Sequence, residues 1–213
     1  YTRTYTLSLH DALPISRTFD IFVSKPDTIT GGILTAPLGT VIEKDPSKKL
    51  DKKFLTFGLI SEDGVSLSED ASDDDVKVWG GVKVRTVRSD YSASLSFTVH
   101  STSDLEVLKI LFGEGNVKKE DQIISITHNA DMAPVRIFTV ETKDPSNGMK
   151  RRYVVPRGQL TISGDRSLNH SSADALEVKI ECLADPETGE CYTEHTWMPT
   201  AAAGTPVAAV PGG

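Results

Sequence analysis

Residues 66–81 read SLSEDASDDDVKVWGG and hold five carboxylates, Glu69, Asp70, Asp73, Asp74 and Asp75, within seven positions. Oxygen donors at this density suit three kinds of chemistry. They can cage a hard cation such as Ca²⁺, supply the acid and base of glycoside hydrolysis, or keep a surface wet and negative. The spacing argues against a cage, because the alternating Asp/Asn order with a central Gly and a closing Glu of an EF-hand is absent. An acid–base pair needs an apolar pocket to lift one carboxyl above its partner, and a hydrophilic run offers none. Like charges without a cation repel, so an exposed acidic loop is expected here. Trp79 and Gly80–Gly81 would then anchor its base, unless Trp79 is instead a core aromatic.

Other chemistry is hard to find. Outside the first sixteen residues the histidines are His100, His128, His170 and His195, scattered and without a zinc signature. There is no nucleophile elbow, phosphate-binding loop or dinucleotide glycine fingerprint. The reading is therefore no enzyme, no catalytic residue, no metal and no cofactor. MKRRYVV carries a basic cluster, Lys150, Arg151 and Arg152, which is either a solvated strand end or a patch that docks the acidic stretch of a neighbouring copy. Cys182 and Cys191 flank LADPETGE, a turn, and are read as free thiols, with a weak disulfide across the hairpin as the alternative.

The bulk numbers leave room for these readings. The chain has 213 residues, a net charge of −7 and a pI near 5.2. Its first sixteen residues, YTRTYTLSLHDALPIS, look like translated sequencing-adapter sequence and carry no weight for the fold. Leaving them out removes Arg3 and Asp11 and does not change the net charge. At 38% hydrophobic and 25% charged, the chain reads as ordinary globular protein, with one domain expected over residues 17–198. No apolar run approaches the ~18 residues of a membrane-spanning helix. The acidic balance opposes duplex nucleic-acid binding, though a negative wall would let a nucleic acid pass without sticking.

The elements that position these residues are mostly strands. In YSASLSFTV (91–99) Tyr91, Ala93, Leu95, Phe97 and Val99 alternate with Ser and Thr, and ALEVKIECL (175–183) repeats the pattern. VRIFTVETK and MKRRYVV flank DPSNG, a hairpin turn. Further strands are expected near 53–60, 65–68, 76–79, 82–87, 122–127, 159–163 and 192–196. TSDLEVLKILFGEG breaks the rule. Ser103 stands three residues before Glu106, as in a capping box, Leu105, Leu108, Leu111 and Phe112 recur at helical spacing, and Gly113 can end the helix. Residues 199–213, Pro/Ala/Gly-rich and uncharged, read as a flexible tail or linker, ending on Pro-Gly-Gly as a linker into a further domain would.

In order along the chain, ITGGILTAPLGT, FGLISEDGVSLSED, VKVWGGVKVRTVRSDYSASLSFTV, VLKILFG and RRYVVPRGQL resemble the major tail (tail tube) protein of long-tailed, siphovirus-like bacteriophages. The likeness runs from about Val23 to Thr196. It implies a mainly β fold, a β-sandwich or partial barrel with one flanking α-helix and long loops. It further implies a structural virion protein assembled in the host bacterial cytoplasm. Copies would form stacked, hexameric rings around a tape-measure protein, closed by a tail terminator, with DNA passing through the bore and no membrane involved. Under that reading Glu69–Asp75, Trp79 and Gly80–Gly81 lie at an inter-ring contact or near the bore. A monomeric carbohydrate- or cell-surface-binding β-sandwich module is the alternative. A hydrolase with an unrecognised carboxylate pair is a third.

Overall fold

The structure is a computed structural model that describes residues 21–30, 32–166 and 168–199. The adapter-like residues 1–16, and the tail from Thr200 onward, lie outside the described residues. Eleven strands follow in chain order: β1 (Lys25–Pro26), β2 (Ile33–Pro37), β3 (Leu55–Thr56), β4 (Ile60–Lys77), β5 (Lys83–Val99), β6 (Val117–Glu120), β7 (Ile123–Ile126), β8 (Arg136–Lys143), β9 (Lys150–Ser163), β10 (Leu176–Cys182) and β11 (Thr193–Trp197). Helix α1 (Leu105–Phe112) falls between β5 and β6. Nine strands make one sheet in the order β3-β2-β8-β9-β10-β5-β4, with β1 also on β8 and β11 also on β9; β6 and β7 pair separately. The expected mainly β fold with one flanking helix is what the chain adopts, and its sheet is not closed.

The alternating strands meet where their patterns predict. β10 runs antiparallel to β5 with Val178 opposite Phe97, Ile180 opposite Leu95 and Cys182 opposite Ala93, all buried. Phe57 packs edge-on against Phe97 at 5.2 Å and stacked against Phe138 at 6.2 Å, joining the two halves of the sheet. Val107, Ile110 and Leu111 of α1 cover the same core. The helix starts one residue later than the capping-box spacing suggests. Asp104, not Ser103, is the cap, accepting the Glu106 N–H at 2.9 Å. Asp and Ser serve equally well as N-caps, and here the Asp104 carboxylate is the one that meets a free helix N–H. Gly113 ends the helix as expected, donating its N–H to the Lys109 carbonyl.

β9 passes through Pro156, where the sequence suggests a break. Phe138 faces Val155 and Arg136 faces Gly158, so Pro156 and Arg157 together oppose one residue of β8 in a bulge. A bulge tolerates proline because it leaves a ladder position without an N–H partner. At Gly158 a Cβ would stand 2.4 Å from the Phe138 ring, so glycine is required for the close approach.

The basic cluster of MKRRYVV is not a solvated strand end. Arg152 is 1% exposed. Its Nε donates to Glu141 Oε1 at 2.7 Å, its Nη1 to the carbonyls of Glu43 at 2.5 Å and Asp45 at 2.9 Å, and its Nη2 to the Lys48 carbonyl at 2.8 Å and to Glu141. Three of these bonds hold the long 38–53 loop and two hold Glu141 of β8, so one guanidinium fork ties loop to sheet. Arg151 lies 4.1 Å over the Phe22 ring and pairs with Glu194, and Lys150 pairs with Asp27.

Removing the Arg152 side chain leaves Glu141 and three carbonyls without their donor. Arg152→Ala should cost about 3–5 kcal/mol in urea unfolding, and Arg152→Lys should recover only part of that. A loss below about 1 kcal/mol would show that the loop is held elsewhere. Acid has its own effect. The Arg166 hydrogen bond holds the Asp174 carboxyl down at about 2. A depressed folded value stabilises above the ordinary carboxylate range and is lost as pH falls toward 2, so Asp174→Asn should flatten the stability profile between about pH 4 and 2. Parallel profiles for variant and parent would contradict this.

Candidate functional site

The acidic stretch is a strand, not a loop. β4 and β5 pair from the body of the sheet out to Lys77 opposite Lys83. The last β10–β5 pair is Cys182 with Ala93, so from Asp70 and Ser92 outward the two strands have only each other. Ten residues of β5, Lys83–Ser92, at ~3.3 Å each, make an arm of roughly 30 Å. Val76–Trp79 and Val82–Val87, which read as two short strands, are its distal ends. Gly80 and Gly81, at φ +106° and +80°, make the turn between them. Both conformations are ones that glycine adopts without strain.

This placement overturns two readings of Trp79. It is neither a core aromatic nor an anchor at the base of the acidic segment: it sits at the tip, 104% exposed. The turn is set by backbone bonds alone, Gly81 N–H to Val78 O and Val78 N–H to Val82 O, which leaves the indole outside. Around it Val76, Val78, Val82, Val84 and Val87 are 41–62% exposed. β-Branched residues suit a ribbon that must stay extended, and here nothing within the described chain covers them.

The five carboxylates divide between the two faces of the ribbon and its root. Glu69, at the root, accepts the Tyr192 hydroxyl, and Tyr91 beside it is pushed above its ordinary pKa, by partial burial first and by Glu69 second. Asp73 and Asp75 share a face. Arg88 Nε donates to Asp73 at 3.2 Å; Lys83 Nζ lies 2.6 Å from Asp75, which also accepts the Thr86 hydroxyl at 3.2 Å. Asp74 faces the other way, opposite Val87, as does Asp70 opposite Ser92. A bulge at Ser72/Asp73, where Ser89 bonds the Ser72 carbonyl, and another at Val76/Lys77 add local twist.

The cation for the acidic run therefore comes from the facing strand. Lys83 and Arg88 in VKVRTVR do what was assigned to Lys150, Arg151 and Arg152 of a neighbouring copy. Those three are occupied within their own chain, and Arg152 is buried. The signal for the pairing was present: an acidic strand, a Gly-Gly turn and a basic strand of matching length. Among the described residues no group of three His, Cys, Asp or Glu side chains is placed to hold a metal ion. Cys182 and Cys191 are free, and burial pushes the Cys182 thiol up to about 11.

The family model for phage tail tube proteins matches residues 28–208. No curated protein matches. Among solved structures, a chain from the virion of a native gene transfer agent particle shares 19% identity over 62% of this chain and 86% of its own, with a TM-score of 0.35. The anti-feeding prophage cap, a tube-terminating cap, shares 7% over 86% of this chain and all of its own, with a TM-score of 0.45.

The cross-strand ion pairs are exposed, so they set register more than stability. A double-mutant cycle on Asp73 and Arg88 should give about 0.2–1 kcal/mol of coupling, shrinking in high salt, while Asp74→Asn changes nothing measurable. Coupling above about 2 kcal/mol, or a loss at Asp74 equal to that at Asp73, would contradict the two-faced arrangement.

Proposed function

This chain belongs to the phage tail tube protein family and is a structural protein of the phage tail; from that premise we propose that it is the repeating subunit of the tube, joined copy to copy through the β4–β5 arm. Six copies close a ring and rings stack around a tape-measure protein, capped by a tail terminator, before the bore conducts the genome without binding it specifically. Assembly takes place in the host cytoplasm, with no membrane, no cofactor and no catalysis.

One observation carries this reading: a roughly 30 Å ribbon projects from the sheet with its apolar tip and both its outer edges uncovered. Unpaired strand edges are ready templates for another chain. The arm and the surface it meets are different patches of one molecule. Such heterologous contacts generate rings where the rotation closes and filaments where it does not, which are the two components of a stacked tube. Asp70, Asp74 and Asp90, which have no cationic partner among the described residues, supply a restraint on premature growth at the inter-ring contact, or a wall that does not hold DNA near the bore. Lys150 and Arg151 contribute to contacts only where a neighbour's carboxylate displaces Asp27 and Glu194.

The test is electron microscopy of the purified chain beside a variant whose residues 76–84 are replaced by Asn-Gly, closing the hairpin early. The parent should form annular or cylindrical particles at high concentration, and the shortened variant should remain small while keeping its melting transition. A parent that stays as single particles, or a shortened chain that builds the same cylinders, would overturn the proposal.

A further inference from the structure

We propose that Trp79 of one copy seats in the concavity between the end of α1 and β9 of a second copy, an inference that rests on the reading of the arm as the assembly contact. The concavity has a volume of about 290 Å³. Ligand sites for drug-sized molecules run from ~300 to 1,000 Å³, so this one is scaled for a single large side chain. Its apolar wall comes from Leu111, Phe112, Met132, Leu160 and Ile162. Met132 is largely exposed and Ile162 partly so, apolar surface that an aromatic ring would remove from water. The thioether of Met132 and the edge of His128, itself packed edge-on to Phe112 at 4.9 Å, are good neighbours for an indole.

The polar rim is held in place before anything binds. Asn116 Nδ2 donates to the Phe112 carbonyl at 2.9 Å, closing the helix end. Asn129 Nδ2 donates to Asn116 Oδ1 at 3.2 Å and to Asp131 Oδ2 at 2.6 Å, and Asp131 N–H returns to Asn129 Oδ1 at 3.2 Å. Asp131 has no cationic partner among the described residues, and its Oδ1 remains available to accept the indole N–H. The distal arm brings complementary charge, since Lys77 stands opposite Lys83 at the turn and Arg85 opposite Val76. A buried aromatic anchor inside a polar ring is the arrangement that concentrates binding energy.

The occupant must be another copy. The arm's two strands stay paired with each other from the root at Ala93 to the tip, through the bulges at Ser72/Asp73 and Val76/Lys77, and leave the body in the direction of Lys83. The concavity lies along β9 at Leu160–Ile162, beyond Gly158, the residue level with the root. The arm leaves the root in the opposite direction along the strands, so its tip and this concavity lie on opposite sides of the root. Tip and receptor are then different patches, consistent with the heterologous contact that a tube needs.

Cross-linking and assembly measurements separate this inference from the broader one. A chain carrying Trp79→Cys and Met132→Cys in a Cys191→Ser background should give intermolecular disulfides under mild oxidation, visible as a ladder on a non-reducing gel. Neither single variant should do so. Trp79→Ala should raise the concentration needed for assembly about tenfold or more. Ala133→Trp, which fills the concavity from within, should do the same while its melting transition confirms that it folds. If the shortened arm fails to assemble yet the cysteine pair never cross-links and Ala133→Trp assembles like the parent, the arm remains the contact and this receptor is wrong. If Trp79→Ala and the shortened arm both assemble like the parent, both readings fall.

Discussion

A two-stranded ribbon has no interior. Three or more strands, or a packed face, are needed for a sheet to be stable in water, and an isolated hairpin is marginal. Beyond Ala93 the β4–β5 arm has neither. Its two strands bond each other, but both faces and both outer edges meet solvent, and the valines around Trp79 stay half exposed. The cross-strand pairs of Asp73 with Arg88 and Asp75 with Lys83 offset this only slightly, since exposed ion pairs contribute about 0.2–1 kcal/mol each. Fully covering one valine contributes ~1.5–3 kcal/mol. The apolar term is larger, so the arm reaches its full stability when another surface covers it.

The body is built to hold such an arm steady. Phe57 ties Phe97 to Phe138, Gly158 lets β8, β9 and β10 approach closely, and α1 covers the core they form. Arg152 fixes the 38–53 loop, and Asp144 accepts the Val23 N–H at 3.0 Å, fastening the segment that leads into β1. Glu69 and Tyr192 clamp the root. Association costs less when part of the docking element is already ordered, and a fixed root limits how much of the arm must be frozen on docking. Membership of the tail tube family suits the proposal of a subunit that binds other copies of itself.

Much of this was legible in the sequence. Strict alternation in 91–99 and 175–183 specified two core strands and their inward faces, because a buried face demands period two. The helix was legible from Leu108 and Leu111, and missed its cap by one residue because Ser103 and Asp104 are both good caps. Trp79 was misplaced because a lone tryptophan between valines reads as core, and exposure depends on what lies across the sheet, which local pattern does not encode. The acidic residues read as a loop because their side chains offer no apolar face; the strand exists because VKVRTVR pairs with it from the other side of Gly80–Gly81. Arg152 was taken for a surface charge because its partners are backbone carbonyls of a distant loop, invisible to any motif.

The central claim is that the arm depends on cover from a second copy. Hydrogen exchange of the arm amides, residues 70–92, followed as a function of protein concentration, tests it most directly. The account predicts that these amides exchange rapidly in dilute protein and become protected as particles assemble, while the β5–β10 amides of the core stay protected throughout. Arm amides equally protected at every concentration would contradict it, for the ribbon would then be stable alone.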